Sequence, residues 1–210
     1  MARSQSKLWR RLFGARKPSP IIVVSGLPRS GTSMMMQMLA AGGIEVVTDE
    51  RRQADTDNPR GYFEFEPVKA LAEEVDLAWL DEARGKAIKI ISDLLQYLPA
   101  NHTYKILFME RNLQEVLTSQ QQMLEHLEKP SDTTTNAAME TQFIRHRSQV
   151  KAWLRAQPHI EMQSIRYAEV LADPRAVAER IQRFLGRALQ VEAMVAEVEP
   201  QLYRNRAARD

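Results

Sequence analysis

The chain has 210 residues, of which 44% are hydrophobic, with a formal net charge of +2 and no cysteine. This length is typical of one compact domain with a sizeable core, and the lack of cysteine excludes disulfides and thiolate metal sites and suits a reducing cytoplasm. No apolar run approaches the roughly 20 residues that a membrane-spanning helix requires, and the four scattered histidines do not indicate a metal site.

The amino-terminal segment is strongly basic. Residues 1–20 contain six Lys or Arg and no acid, so residues 21–210 are net acidic. Within residues 1–17 the cations are interspersed with leucine and aromatic residues, a pattern compatible with a frayed basic tail or with a short amphipathic helix on an anionic membrane surface. The segment lacks the apolar length of a signal peptide. We predict a basic tail over 1–20, a single domain over 21–210, and a cytoplasmic protein with at most weak membrane-surface contact.

The first strand-like run, 21–25, leads into a glycine-bracketed turn and then into a helix-forming stretch. The turn and its continuation are Gly26-Leu-Pro-Arg-Ser-Gly-Thr-Ser33. A strand, a glycine loop and a helix in this order build a phosphate cradle, because backbone N–H groups and the helix dipole at the helix start favour an anion. The Gly26-x4-Gly31 spacing matches the start of a nucleotide-triphosphate P-loop, which then requires a lysine. Thr32 stands at that position, and a cation lies inside the loop instead, at Arg29.

A P-loop without its lysine lacks the ammonium that reaches the β- and γ-phosphates, which disfavours hydrolysis of ATP or GTP. The octet resembles instead the 5′-phosphosulfate-binding loop of sulfotransferases, whose sulfuryl donor is 3′-phosphoadenosine 5′-phosphosulfate. The alternative is a tight turn in which Gly and Pro serve only backbone geometry. The resemblance implies that the donor is bound by Gly26, Pro28, Arg29, Ser30, Gly31, Thr32 and Ser33.

Strand-like and helix-like segments alternate along the chain. Strands are predicted at 21–25, 44–47, 87–91, 104–109 and 161–166, and helices at 32–41, 66–83, 112–128, 138–157, 167–172 and 175–185. This alternation predicts a three-layer α/β/α fold with a central, mostly parallel sheet, and the resemblance implies its P-loop-like form. Ligands of such sheets bind at the carboxyl ends of the strands. Residues 48–62 and 129–137 are predicted to be long loops.

The strand at 104–109 ends just before Arg111, which therefore lies where a site is expected. Asn112 and Glu115 form a plausible capping pair for the next helix, and Ser119 lies two turns into that helix. A solvated Arg and a surface Ser would explain this spacing without any function. Sulfotransferases, however, hold the 3′-phosphate of the donor with an Arg and a Ser eight positions apart, and Arg111 with Ser119 resembles that pair.

A weaker resemblance lies further along the chain. Tyr167-Ala-Glu-Val, followed by Phe184-Leu-Gly186, is similar to a sulfotransferase segment in which a strand ends in a Tyr-Glu-Asp-Leu-like turn. It implies that Tyr167 belongs to the donor site, although the acidic position is shifted here. The family also closes a basic, glycine-containing loop over the 3′-phosphate, and the basic residues at 204–206 lack that glycine.

Sulfuryl transfer requires a cation on the departing oxygen and a base for the attacking hydroxyl. The resemblance assigns the first role to Arg29, as an electrostatic clamp, because a guanidinium does not readily donate its proton. Glu64 and Glu50 are the two candidates for the base. The aromatic neighbours of Glu64 would desolvate its carboxylate, as a base requires, and each acid could equally be a solvated loop carboxylate. His126 and His146 lie in polar helical stretches and are predicted to be surface residues.

The resemblance therefore implies a bacterial-type sulfotransferase that uses 3′-phosphoadenosine 5′-phosphosulfate without a metal ion. Its acceptor is the hydroxyl or amine of a small molecule, lipid or sugar, and no nucleic-acid partner is predicted. Two alternatives stay open. A divergent P-loop kinase or NTPase would need the missing lysine and a magnesium-binding acid, and a non-catalytic nucleotide-binding module would be indifferent to the loss of Glu50 and Glu64.

Overall fold

The computed structural model describes residues 18–49, 61–73, 76–126 and 136–199. Within these residues a five-stranded sheet has the order β2-β3-β1-β4-β5, and every pairing in it is parallel. The strands are β1 (Ile21–Gly26), β2 (Val46–Val47), β3 (Ala87–Lys89), β4 (Tyr104–Glu110) and β5 (Ile160–Arg166). The predicted parallel sheet is thus confirmed, and β1 delivers the glycine octet to the middle of its carboxyl edge.

The helices follow the predicted alternation with the strands. They are α1 (Thr32–Ala41), α2 (Trp79–Glu82), α3 (Leu113–His126), α4 (Asn136–Ala156), α5 (Tyr167–Ala172), α6 (Pro174–Leu185) and α7 (Val191–Ala196), with 3₁₀ segments at Glu66–Glu73 and Ser92–Tyr97. None of the helices described combines the length and hydropathy needed to cross a membrane.

Strand side chains alternate between an apolar cluster on each face of the sheet, as the two-residue repeat of a strand requires. One cluster joins β1 and β4 to α1, α6 and α7 through Val24, Leu107, Met38, Ile181 and Met194. The other joins the same strands to α4 and both 3₁₀ segments through Val23, Phe108, Leu154, Leu71 and Leu95. Helical elements therefore cover both faces, which is the predicted three-layer arrangement.

The predicted helix at 66–83 is wrong in its middle. A 3₁₀ segment ends at Glu73, α2 begins only at Trp79, and residues 74–75 lie outside the described residues. Asp76 has φ 47°, and a right-handed helix cannot continue through a residue in that conformation. The 3₁₀ segment Ser92–Tyr97 and α7 are additions that hydrophobic periodicity did not predict.

Helix α6 begins and ends as its sequence indicates. The Asp173 carboxylate accepts a hydrogen bond from the Ala176 N–H at 2.9 Å, and Pro174 takes the first helical position, where its missing N–H does no harm. Gly186 ends the helix in the left-handed conformation with φ 69°. This helix covers one face of the sheet, so its cap contributes to the stability of the whole layer.

We expect Asp173→Ala to lower the free energy of unfolding by about 1 kcal/mol, because the Ala176 N–H loses its acceptor. Urea denaturation followed by circular dichroism measures this change. Asp173→Asn is the matched control, since its side-chain oxygen still accepts the bond. Equal stability of the alanine and asparagine variants would contradict the role of the cap.

Candidate active site

The glycine octet leaves β1 in a backbone shape that its two glycines make possible. Gly26 has φ 153° and Gly31 has φ 95°, both outside the region that residues with a Cβ prefer. A Cβ on Gly26 would lie 2.6 Å from the Met109 carbonyl oxygen, and a Cβ on Gly31 would lie 2.5 Å from Cδ2 of the Tyr167 ring. The spacing seen in the sequence is therefore required by backbone geometry and by close neighbours from β4 and α5.

Bonds within the loop hold its turn in shape. The buried Ser30 hydroxyl donates to the Leu27 carbonyl oxygen at 2.7 Å, and the Ser30 N–H donates to the same oxygen at 3.2 Å. The Ser30 side chain thus stabilises the turn itself, and its predicted contact with the donor stays a prediction.

Helix α1 presents its amino terminus to this loop. Gly31 is the cap residue without a side-chain cap bond, and the first turn contains no acidic side chain. The first N–H groups of any α-helix lack partners inside the helix, and the dipole adds partial positive charge at this end. Thr32 and Ser33 occupy these positions, so the loop and the helix start together favour an anion.

The loop cation reaches across to α3. Arg29 has φ 63°, a left-handed conformation that is uncommon for a residue with a side chain. Its Nε donates to the Ser119 hydroxyl at 2.9 Å, and Ser119 is buried. The two residues are 90 positions apart in the chain, and the carboxyl ends of β1 and β4 bring them together.

Arg111 completes this cluster at the end of β4. Its Nη1 donates to the Arg29 carbonyl oxygen at 3.2 Å, and its guanidinium carbon lies 4.6 Å from the centre of the Tyr167 ring. Burial raises the pKa of the Tyr167 phenol, and the Arg111 charge offsets only part of that increase. The phenol is therefore neutral near pH 7, and a cation stacks on its uncharged ring between the loop and α3.

The segment that carries Glu64 lies at the same edge of the sheet. The Glu64 carbonyl oxygen accepts bonds from the Thr48 hydroxyl at 3.0 Å and from the Asp49 N–H at 3.1 Å, just beyond β2. Lys89, the last residue of β3, donates to the Tyr62 carbonyl oxygen. Glu64 is half-buried there, and its role as the base stays a prediction. Glu50, the other candidate, lies outside the described residues, as do residues 1–17.

One member of the predicted capping pair of α3 has a contact that differs from the prediction. Asn112 accepts bonds from the Gln114 N–H at 2.9 Å and the Glu115 N–H at 3.4 Å, so it caps α3 as predicted. The Glu115 side chain turns to Arg111 instead, with 2.9 Å between Arg111 Nε and Glu115 Oε2. A buried guanidinium nearby attracts the carboxylate more strongly than a backbone N–H does.

His146 is not a plain surface residue. It is half-buried, and its Nε2 lies 2.8 Å from the Ser92 hydroxyl and 3.2 Å from Oδ1 of Asp93. This contact fastens α4 to the 3₁₀ segment after β3. His146 shares a helical face with Val150 and Leu154, which pack against the core. This four-residue spacing in the sequence could have indicated that His146 faces the core side of the helix.

The neighbouring pair Glu110 and Lys151 fastens α4 to the end of β4. Burial alone would raise the pKa of Glu110, but hydrogen bonds from Lys151 and Ser164 and the Lys151 charge bring that pKa below its usual range. Arg111 therefore follows a strand end that an ion pair holds in place. Across the part of the chain that the structure describes, no three His, Asp or Glu side chains are grouped to hold a metal ion.

Comparison with known proteins gives one family match and several similar folds. The family described as "Sulfotransferase domain" matches residues 19–205. The sulfotransferase domain of the Synechococcus PCC 7002 olefin synthase is 17% identical, with a TM-score of 0.57 over 94% of this chain and 91% of that chain. Sulfotransferase STF1 of Mycobacterium tuberculosis H37Rv is 18% identical, with a TM-score of 0.54 over 92% of this chain and 75% of that chain.

A third structure, sulfotransferase STF9 of Mycobacterium avium, is 13% identical, with a TM-score of 0.51 over 93% of this chain and 70% of that chain. The search of curated proteins found no match to the chain. At these identities the likeness to the solved structures shows the fold, and the family match covers most of the residues from β1 onward.

Proposed function

This chain belongs to the sulfotransferase domain family, and we propose that it transfers a sulfuryl group from 3′-phosphoadenosine 5′-phosphosulfate to a hydroxyl acceptor. The acceptor is a small molecule, a lipid or a sugar. One observation carries the proposal: Arg29, Arg111 and Ser119 converge beside a glycine loop at the carboxyl ends of β1 and β4. A donor with anionic groups at both its 5′ and 3′ positions needs a cation near each group, and Arg29 and Arg111 supply two cations.

The residues present suit the two anionic groups of this donor. The amino terminus of α1, with Thr32 and Ser33, would hold the 5′-phosphate, and the absence of a Cβ on Gly31 lets the loop backbone lie close to the Tyr167 ring. Arg111 and Ser119 would hold the 3′-phosphate, for which a guanidinium supplies forked, charge-assisted contacts. Both places are defined by rigid elements, which is how a site keeps its geometry.

In the proposed reaction the acceptor oxygen attacks sulfur in line with the bond to the 5′-phosphate. The new sulfur–oxygen bond forms as the old one breaks, and the bridging oxygen leaves with its electron pair on adenosine 3′,5′-bisphosphate. Arg29 would stabilise the charge that develops on that oxygen, and Glu64 or Glu50 would take the proton of the acceptor hydroxyl. Catalysis would thus depend on positioning and electrostatics, as in phosphoryl transfer.

Calorimetric titration with adenosine 3′,5′-bisphosphate, adenosine 5′-phosphate and magnesium ATP tests the donor site. We expect the bisphosphate to bind most tightly and without a metal ion. We expect Arg111→Ala to weaken it by about 1.5–3 kcal/mol, or roughly 10- to 150-fold, and to leave the monophosphate almost unchanged. The reason is that only the bisphosphate loses a charge-assisted contact.

Arg145→Ala is the matched control, because Arg145 is an exposed arginine of α4. Arg111→Ala/Glu115→Ala is measured beside Arg111→Ala, since the single change leaves a buried carboxylate without its cation. A preference for magnesium ATP would replace the proposal by that of a divergent kinase. Equal affinity for the bisphosphate and the monophosphate would contradict the 3′-phosphate site.

A further inference from the structure

Arg111 of the proposed 3′-phosphate site forms a buried ion pair with Glu115. The Arg111 and Glu115 side chains are only 10% and 5% exposed, and 2.9 Å separates Nε of Arg111 from Oε2 of Glu115. Desolvating a carboxylate beside an anion-binding place is unfavourable unless the carboxylate does something that a neutral residue would not. Capping of α3 does not explain it, because Asn112 supplies the cap.

Three contacts within the described part of the chain restrain the Arg111 guanidinium. Glu115 accepts from Nε, the Arg29 carbonyl oxygen accepts from Nη1, and the centre of the Tyr167 ring lies 4.6 Å from the guanidinium carbon. The carbonyl and the ring each restrict only part of the motion of a long, flexible side chain. The carboxylate is the charged group among these three, so it has the largest effect on the direction in which the guanidinium fork points.

We propose that Glu115 is the positioning residue of the 3′-phosphate site: it orients Arg111 and so determines how strongly the protein prefers a nucleotide with a 3′-phosphate. This inference rests on the proposed function. Glu115 itself does not touch the nucleotide. It acts through Arg111, in the way that outer hydrogen-bonding groups orient the groups that bind a ligand.

Electrostatics alone predicts the opposite sign for this residue. Glu115 carries a negative charge close to the proposed phosphate, so its removal should strengthen bisphosphate binding if charge were its only effect. Loss of orientation should weaken that binding instead. The direction of change in Glu115 variants therefore separates a positioning residue from a mere neighbouring charge.

The measured quantity is the ratio of the dissociation constants of adenosine 5′-phosphate and adenosine 3′,5′-bisphosphate, from calorimetry on the full chain. We expect Glu115→Ala to lower this ratio about tenfold or more, with monophosphate affinity changed by less than about twofold. Glu115→Gln should give a ratio between those of the wild type and Glu115→Ala, since its amide oxygen can still accept from Nε but carries no charge. The double variant Arg111→Ala/Glu115→Ala should have the same ratio as Arg111→Ala, because Glu115 acts only through Arg111.

A ratio that is unchanged or raised in Glu115→Ala would overturn the inference, as would additive losses in the double variant. Equal weakening of both nucleotides would also overturn it, because that result indicates a general defect in folding. Glu140→Ala is the matched control, since the Glu140 carboxylate accepts a bond from Gln114 of α3 at 2.6 Å away from Arg111.

If Arg111→Ala lowers the ratio and Glu115→Ala does not, only this inference fails. If the wild-type protein shows no preference for the bisphosphate, the proposed function fails with it.

Discussion

Replacement of Arg29 by alanine is expected to lower turnover by about 10²- to 10³-fold, while bisphosphate affinity falls by less than about tenfold. Arg29 lies inside the loop and is held by Ser119 at 2.9 Å. Its charge should matter most when negative charge builds on the bridging oxygen, so the transition state loses more than the bound nucleotide does. Turnover is measured with a sulfuryl-transfer assay on an accepted hydroxyl compound, and affinity by calorimetry.

Arg29→Lys is the informative control for that result. It retains the charge and the side-chain stem at the same φ of 63°, but it loses the planar fork. We expect an intermediate loss of turnover. Parallel losses of turnover and of bisphosphate affinity in Arg29→Ala would assign Arg29 to nucleotide binding and remove it from the chemical step.

Gly31→Ala is expected to destabilise the fold by about 2–5 kcal/mol and to weaken bisphosphate binding by more than about 100-fold. Strain at φ 95° and the overlap of the new Cβ with the Tyr167 ring at 2.5 Å both contribute. Displacement of the ring would also remove the contact between Tyr167 and the Arg111 guanidinium. Urea denaturation and calorimetry measure the two effects.

The two sources of the Gly31→Ala effect can be separated. Gly43→Ala is a matched control, because Gly43 has φ 88° and its added Cβ would meet nothing closer than 3.5 Å. It should show the strain without the overlap. The double variant Gly31→Ala/Tyr167→Ala should regain part of the lost stability. Equal destabilisation by Gly31→Ala and Gly43→Ala would show that the Tyr167 ring adds nothing.

The parts of the site that sequence predicted well depend on local geometry or on sheet topology. The glycine octet requires a particular backbone shape, so the loop and α1 could be placed within a residue of their observed bounds. Arg111 and Ser119 could be brought to the loop because parallel strands end at one edge of a sheet. Their actual contacts, with the Arg29 carbonyl oxygen and the Arg29 side chain, depend on tertiary packing.

Other features were decided by contacts that no local pattern contains. Glu115 has the spacing of a capping residue, but in the folded protein its carboxylate accepts a hydrogen bond from Arg111 instead. The apolar spacing over 66–83 predicted one helix, but the segment Glu66–Glu73 is a 3₁₀ helix and the chain turns at Asp76, which has φ 47°. The backbone conformation of that one residue outweighed helix propensity there.

The all-parallel sheet also determines when this site can exist during folding. The central strand β1 pairs with β3 and β4: Val24 lies opposite Lys89, and Gly26 lies opposite Met109. These partners are distant in the chain, and no hairpin joins the parallel strands. Such pairings are non-local, and loop-closure entropy makes them form slowly. Met109 and Tyr167, the close neighbours of Gly26 and Gly31, reach their positions beside the loop only when those pairings form. A fragment ending after α1 would contain the whole octet but no cradle, so under the proposed function a growing chain would gain its affinity for nucleotide only after Tyr167 has been synthesised and the sheet has assembled.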